Sequence, residues 1–431
     1  MVNLVERLLR VASRFSRNVR AASLYHLVVV VIGFIITVVG IAGQTLSLNF
    51  WLLPLYWSPN SGGPFTVLTV VASFTAIVFC FFFAMLALRG RNGIARLMLD
   101  PLGAGLCFIL GFFNALNGVL IVYATSATPE TYQGILFSAQ VVITFLFMTA
   151  LVPTSRRGFA TAFLNQQTLV LVLAMASCIT GIFIGLLPLI TGGSGSASSS
   201  KHPGKWTALF ALAMVPGALY NVIANYYLKR FTKTPEEDPL ESVFSDGKVV
   251  KGNMLAQAAV WQVVWLFIMF PLDWTEGFGT TTSAAASKAS LAQGWHDVFH
   301  ITRNGGYFAA FLMSYVCQYV GSAILNQISS TLTSMVIQLG SPATALMLLV
   351  VPPLRAPGTA TPQVGPTVGA ILLLVLAAFA YALWEELVRD ADEHALGESA
   401  AMIAEGGMPQ DSYTINDSTP QKRRHAAGAP Y

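Results

Sequence analysis

Apolar residues along this chain gather into near-continuous blocks of about 20, the length an α-helix needs to cross roughly 30 Å of hydrocarbon, and polar residues fill the gaps between blocks. Ten such blocks can be drawn, at 25–46, 64–88, 102–123, 131–152, 167–190, 206–228, 253–273, 305–326, 329–351 and 364–384. They lack the period-two alternation of a barrel wall and are too long for barrel strands. The pattern predicts an all-α polytopic membrane protein with ten transmembrane helices.

The intervening segments set the organisation. Residues 1–24 place Leu4, Leu8, Val11, Phe15 and Val19 at helical spacing, with Arg7, Arg10, Arg14 and Arg17 on the other face. Two readings stay open for this segment: an interfacial amphipathic helix on anionic lipid or an Arg-rich organelle transit peptide. A Gly- and Ser-rich linker at 191–205 divides a first set of five helices, 25–190, from a second, 206–384. The polar tail 385–431 reads as a disordered extension. Fifteen Lys and Arg residues flank the spans on the side of the N-terminus and five on the other. By the positive-inside rule both termini are cytosolic, as an even number of spans requires.

Composition narrows the function. Only 10% of residues are charged and 55% are hydrophobic, against about 25% charged in an ordinary soluble domain. The net charge of +4 is spent on topology and does not point to nucleic acid. Cys80, Cys107, Cys178 and Cys317 all fall inside apolar blocks without paired spacing, so they read as small buried hydrophobes and not as disulfides or metal ligands.

Five plus five spans suggests a duplication, and the fourth and ninth spans carry one at an offset of 200 residues: ILFSAQVVITFLF from Ile135 to Phe147 lies against MVIQLGSPATALM from Met335 to Met347, with Thr144 matching Thr344. An odd number of spans per copy forces the second copy in upside down, giving two inverted five-helix repeats that meet near the bilayer midplane. With this layout, the segment from Tyr123 to Gln140 (YATSATPETYQGILFSAQ) resembles the short third-to-fourth turn and small-residue fourth span of the drug/metabolite transporter superfamily. The stretch QLGSPATAL from Gln338 to Leu346 and the basic pair Arg156 and Arg157 resemble its chloroquine-resistance-transporter-like branch. One departure is that residues 274–303 contain no cysteine, whereas a disulfide-bearing loop would fit that branch better. The resemblance implies alternating-access transport of an amino acid, peptide, thiol or organic cation across a vacuolar membrane. Other endomembranes, plastid and mitochondrial membranes stay open, as does a nucleotide-sugar or other metabolite exchanger of the same superfamily.

No Lys or Arg lies within the ten blocks, and carboxylates such as Glu130 and Asp273 fall at their edges. An ionisable group in hydrocarbon is costly and marks function, so the substrate site is expected to use neutral polar groups. The candidates are Gln44, Asn114, Asn117, Gln140, Asn221, Asn225, Gln262, Gln318, Gln338 and Ser341. Each amide has a competing reading as a hydrogen bond between helices, worth about 0.6 kcal/mol. Asn114 with Asn117 and Asn221 with Asn225 each share a helix face. Pro216 with Gly217, and Gly340 with Pro342, interrupt the backbone ladder and are candidate hinges. Gly181 with Gly185, and Gly365 with Gly369, permit close helix approach within one subunit or in a homodimer. Trp51, Trp206, Trp274 and Trp384, near span ends, read as interface anchors.

No metal or cofactor site is expected, and the partners implied are a small-molecule substrate and membrane lipids. An intramembrane enzyme would need a base, nucleophile or metal. The nearest pattern, His296, Asp297 and His300, is assigned to a loop and lacks the Glu of a zinc-protease helix. A non-transporting receptor has no need of two inverted halves.

Overall fold

The computed structural model describes residues 24–57, 63–89, 98–125, 127–151, 166–191, 203–232, 247–300, 302–328, 330–355 and 363–404. Among them all regular structure is helical. The helices are α1 (Leu24–Trp57), α2 (Pro64–Arg89), α3 (Pro101–Thr125), α4 (Glu130–Phe137), α5 (Ala139–Leu151), α6 (Gln166–Ile190), α7 (Pro203–Phe231), α8 (Gly247–Met269), α9 (Ala284–His300), α10 (Thr302–Ile328), α11 (Ser330–Val350) and α12 (Val364–Ala404), with short 3-10 turns at Phe270–Trp274 and Pro352–Leu354.

Seven stretches are long and apolar enough to cross a membrane, on α1, α2, α3, α6, α7, α8 and α12. Large apolar side chains line their outer surfaces, including Ile35, Phe81, Phe183 and Leu372, each more than half exposed. Such continuous apolar coats are solvated by lipid, not by water. The chain is an α-helical, multi-pass membrane protein.

Three expected spans differ from the other seven. The fourth is two helices, α4 and α5, interrupted at Ser138, whose N–H bonds Ile135 O at 3.2 Å in a tightened turn. α10 has the length to cross but is diluted by Asn304, Ser314, Tyr315, Gln318 and Tyr319. In α11 the apolar stretch among the described residues runs over Val336–Val350. Two assignments outside the spans change. Residues 274–303 are not a plain loop, because α9 occupies Ala284–His300 and turns Ser287, Gly294, Asp297 and Val298 inward. Part of the supposedly disordered tail is helix, since α12 continues to Ala404 through residues such as Leu387, Ala391 and Glu393 that favour helix, with no Pro to stop it. The amphipathic segment 1–23, the linker 192–202, the pair Arg156 and Arg157, and the tail 405–431 lie outside the described residues.

Helices that are distant in sequence pair most closely. α1 packs along α10, α7 along α3, and α8 along both α3 and α2; α1 also meets α11, α7 meets α4 and α5, and α4 meets α11. Small residues make the closest approaches. A Cβ on Gly40 would lie 2.5 Å from the Gln318 backbone nitrogen, and Gly43 and Gly321 leave no room for one against Ser314 and Thr37. Gly181 and Gly185 take up Ala370 and Leu374 of α12, which gives this glycine pair an occupant within the chain.

Local signals start and stop these helices. Asp100 precedes Pro101, the residue type favoured at the first helical position, and its Oδ1 accepts the Gly103 N–H at 2.7 Å to cap α3. At the end of α11 the Arg355 guanidinium donates to Leu348 O at 2.6 Å and Leu349 O at 2.9 Å, covering carbonyls the helix leaves unpaired.

Candidate functional site

Helix pairing brings the expected amides together in part. Gln44 of α1 donates from Nε2 to Gln318 Oε1 of α10, joining two helices that the linker separates in sequence. Asn114 of α3 donates to Gln262 Oε1 of α8 at 2.8 Å. Asn117, on the same helix, turns to α7 and donates to Ala213 O at 2.7 Å. Asn114 and Asn117 therefore serve different neighbours. Asn117 and Gln140 of α5 converge on Gly217 of α7, whose missing side chain makes room for both: a Cβ there would lie 2.9 Å from Asn117 Nδ2 and 3.0 Å from Gln140 Nε2.

α7 runs through Pro216 as a continuous helix. Proline has no N–H for the carbonyl four residues back and crowds that turn. The Asn117 amide bonds the adjoining carbonyl of Ala213, so a polar side chain from α3 meets the weakened turn. α11 likewise continues through Pro342, with Gly340 pressed on Ile41 of α1 and Ser341 O facing Gly134 of α4. Gln338 and Ser341 are half-buried on this helix.

Asn221 differs from the other amides because it is exposed. Leu212, on the lipid-facing side of α7, is 53% exposed and lies half a turn round the helix from Asn221. Asn221 instead continues the stripe of Met214, Gly217 and Ala218, all buried. It is therefore exposed on the side of α7 turned away from Leu212. Asn225, one turn on, is half-buried and has a partner.

Aromatic hydroxyls were overlooked as candidates. Tyr315 and Tyr319 of α10 share a hydrogen bond of 3.3 Å, and Phe79 of α2 packs on both rings at centroid distances of 6.2 and 5.4 Å. Both tyrosines lie away from the lipid-facing Met313 and Val320, at a spacing of four that could have singled them out. In sequence they look like ordinary aromatic filling.

At the end of the bundle where α1 stops and α2 begins, polar groups are more deeply buried. Asn49 and Gln133 exchange two amide hydrogen bonds of 3.0 Å, and Gln133 Nε2 also faces Thr125 O and Thr128 O at 3.0 and 2.7 Å. Both side chains are buried, and neither was expected. Asp273, which the sequence places at the edge of a span, is 3% exposed. It accepts Tyr123 Oη at 2.6 Å and Thr280 Oγ1 at 2.9 Å. Asp297 is buried against Gln293, whose Nε2 donates at 2.7 Å. Trp51, expected at the lipid interface, is fully buried. The His296 and His300 rings stack at 3.9 Å on the outer face of α9. Groups of three or more metal-ligating side chains are absent among the described residues.

No protein-family model matches the sequence, and a comparison with curated proteins finds no match.

Proposed function

We propose that this protein is a secondary carrier that moves a small organic solute across an internal membrane by alternating access, using ten spans arranged as two inverted five-helix repeats. The supporting observation is how the halves interlock. If the first five spans correspond in order to the second five, α1 corresponds to α7, α2 to α8, α3 to α10, α4 with α5 to α11, and α6 to α12. The packing of α1 on α10 is then the counterpart of α7 on α3, and α1 on α11 the counterpart of α7 on α4 and α5; α8 on α3 departs from the pattern, since its counterpart, α2 on α10, is a slight contact. The contacts of α2 with α8, α4 with α11, and α6 with α12 are each their own counterpart. Both crossings carry a glycine with an amide four residues later: Gly40 and Gln44 on α1, Gly217 and Asn221 on α7. Broken or glycine-relieved helices meeting at the interface between repeats mark the substrate site in such carriers.

Solute would enter between α7, α3 and α10, meeting Asn221, the tyrosines Tyr220, Tyr315 and Tyr319, and the amides Gln44, Gln318 and Asn117. These groups donate and accept hydrogen bonds without net charge, which favours facilitated or exchange transport. The likeness of QLGSPATAL in α11 to the chloroquine-resistance-transporter-like branch of the drug/metabolite superfamily supports an amino acid, peptide, thiol or organic cation as cargo and an endomembrane location. The distribution of Lys and Arg supports cytosolic termini. On this reading the end where α1 stops is lumenal.

The test is uptake by the purified full chain in liposomes. Labelled amino acids, peptides and organic cations are offered, with saturable flux expected for at least one class. Asn221→Leu removes the exposed amide and is expected to raise the half-saturation concentration about tenfold, the factor for one lost hydrogen bond of ~1.4 kcal/mol. Saturable flux indifferent to Asn221, Gln44 and Asn117 alike would remove this site, and absence of saturable flux for every class offered would remove the carrier.

A further inference from the structure

An alternating-access carrier must hold one end shut while the other admits solute, and the two ends of this bundle are packed differently. At the end where α1 stops, a single buried core gathers Trp51 of α1, Phe65 and Leu68 of α2, Tyr123 of α3, Leu266 of α8 and Val298 of α9, with Phe308 of α10 against it. Both halves contribute. Among the described residues at the opposite end, the buried cores are smaller and divided: Cys107, Tyr227 and Met254 join α3, α7 and α8, while Phe83 and Ala256 join α2 and α8. Among the described residues, α1 and α10 add nothing to either. The exposed Asn221 lies below the larger core, in the half of α7 nearer the opposite end. On the carrier reading the larger core marks the lumenal end as the closed one.

One carboxylate ties the helix ends there. Asp273, at the close of the 3-10 turn that continues α8, accepts Tyr123 Oη of α3 and Thr280 Oγ1 on Oδ1, and Thr281 Oγ1 on Oδ2 at 3.4 Å. Its backbone oxygen takes the Thr281 N–H at 3.1 Å. These bonds fold residues 275–281 back onto α8. Gly277 makes the turn with φ of +76°, a conformation open to glycine, and Gly279 lies so close to the Asp273 backbone that no Cβ would fit. The folded segment inserts Phe278 beside Tyr123, at 4.8 Å and nearly parallel, and beside Trp206 of α7 at 6.2 Å. Lys205 Nζ adds a bond to Gly277 O at 2.5 Å.

We propose that Asp273 is the clasp of a lumenal gate: its hydroxyl bonds hold the 275–281 segment and Phe278 across the ends of α3, α7 and α8, and their release opens that end to solute. The proposal rests on the carrier reading. The chemistry suits a reversible closure. Hydrogen bonds to a carboxylate are the strong kind, but the donors are neutral hydroxyls. Thr280 is already exposed, so water can replace it with little rearrangement. Closure also leaves a donor unmet, because the buried Trp51 Nε1 in the same core has no hydrogen-bond partner. That cost is relieved when the end is wetted.

The experiment uses the full chain in sealed vesicles with Cys80, Cys107, Cys178 and Cys317 changed to Ala and a probe cysteine introduced by Asn221→Cys. A membrane-impermeant maleimide is applied to each side in turn. In the parent, labelling is expected from the cytosolic side and slowly from the lumenal side. Asp273→Asn is expected to raise the lumenal rate about tenfold, which corresponds to a shift of ~1.4 kcal/mol toward the open form, and Tyr123→Phe, which removes one donor, to raise it less. Thermal unfolding checks that each variant is folded, and Tyr123→Phe decides alone if Asp273→Asn is not. Lumenal labelling unchanged in the folded variants would overturn the clasp. Labelling needs no solute, so a faster lumenal rate without saturable flux would sink the carrier and keep the clasp, and flux with unchanged labelling the reverse.

Discussion

Gly40→Ala adds one methyl group where α1 and α10 touch backbone to backbone. The new carbon would lie 2.5 Å from the Gln318 nitrogen, 2.7 Å from Ser314 O and 2.9 Å from Gln318 Cα, against the ~3.5–4.0 Å at which carbon contacts are favourable. All three atoms are main chain, so no rotamer change relieves them. α10 must move out by about 1 Å, and the Gln44 to Gln318 hydrogen bond is stretched with it. Overpacking of this kind costs about 1–3 kcal/mol, and the lost amide bond adds about 0.6 kcal/mol. Alanine is also the better helix former by about 0.5–1 kcal/mol, which offsets part of the loss. Gly105→Ala supplies the control, since a Cβ there meets nothing within 4 Å and only the propensity gain applies. Reversible unfolding in mixed micelles should place Gly40→Ala about 1.5–3.5 kcal/mol below Gly105→Ala, the clash and the lost amide bond together, because the propensity gain is common to both. Equal stability of the two would refute the close crossing of α1 and α10, and with it the interlock of the halves on which the function rests.

Three further outcomes follow from the buried polar groups. Asn49→Leu or Gln133→Leu alone leaves the other amide buried without its partner and should destabilise by about 1–3 kcal/mol; the double replacement should cost less than the sum, and additive losses in a double-mutant cycle would show that the pair does not interact. Asp100→Ala removes the cap of α3 and should cost about 1 kcal/mol, with Asp100→Asn retaining most of it in the same unfolding measurement. Gly181→Leu should destabilise the subunit by displacing Ala370 and Leu374 without changing its oligomeric mass by light scattering; clean dissociation of a dimer would instead assign this glycine pair to a subunit contact.

The membrane character of this chain is legible in sequence because it depends on composition over about 20 residues, a quantity that needs no knowledge of neighbours. The same holds for most helix positions and for the exclusion of charge from the blocks. Amide pairing was only half legible. Gln44, Asn114, Asn117, Gln262 and Gln318 stand out as polar residues in apolar runs, but which of them meet depends on helix rotation and crossing, and Asn114 and Asn117 diverge although their spacing puts them on one face. α9 was missed because its small and polar residues resemble a loop until Trp295 reaches Thr69, at 3.0 Å, and Val298 finds the core.

Sequence by itself determined that the backbone must be helical, since hydrocarbon offers no partner to an unpaired N–H or C=O, and it determined roughly where most of the apolar helices run. Only the tertiary structure decided that Asp273, Asn49, Gln133 and Trp51 are buried and that Asn221 is exposed. Those outcomes depend on contacts between residues more than eighty positions apart, such as Asn49 with Gln133, Tyr123 with Asp273 and Gln44 with Gln318. A local pattern carries no record of such contacts.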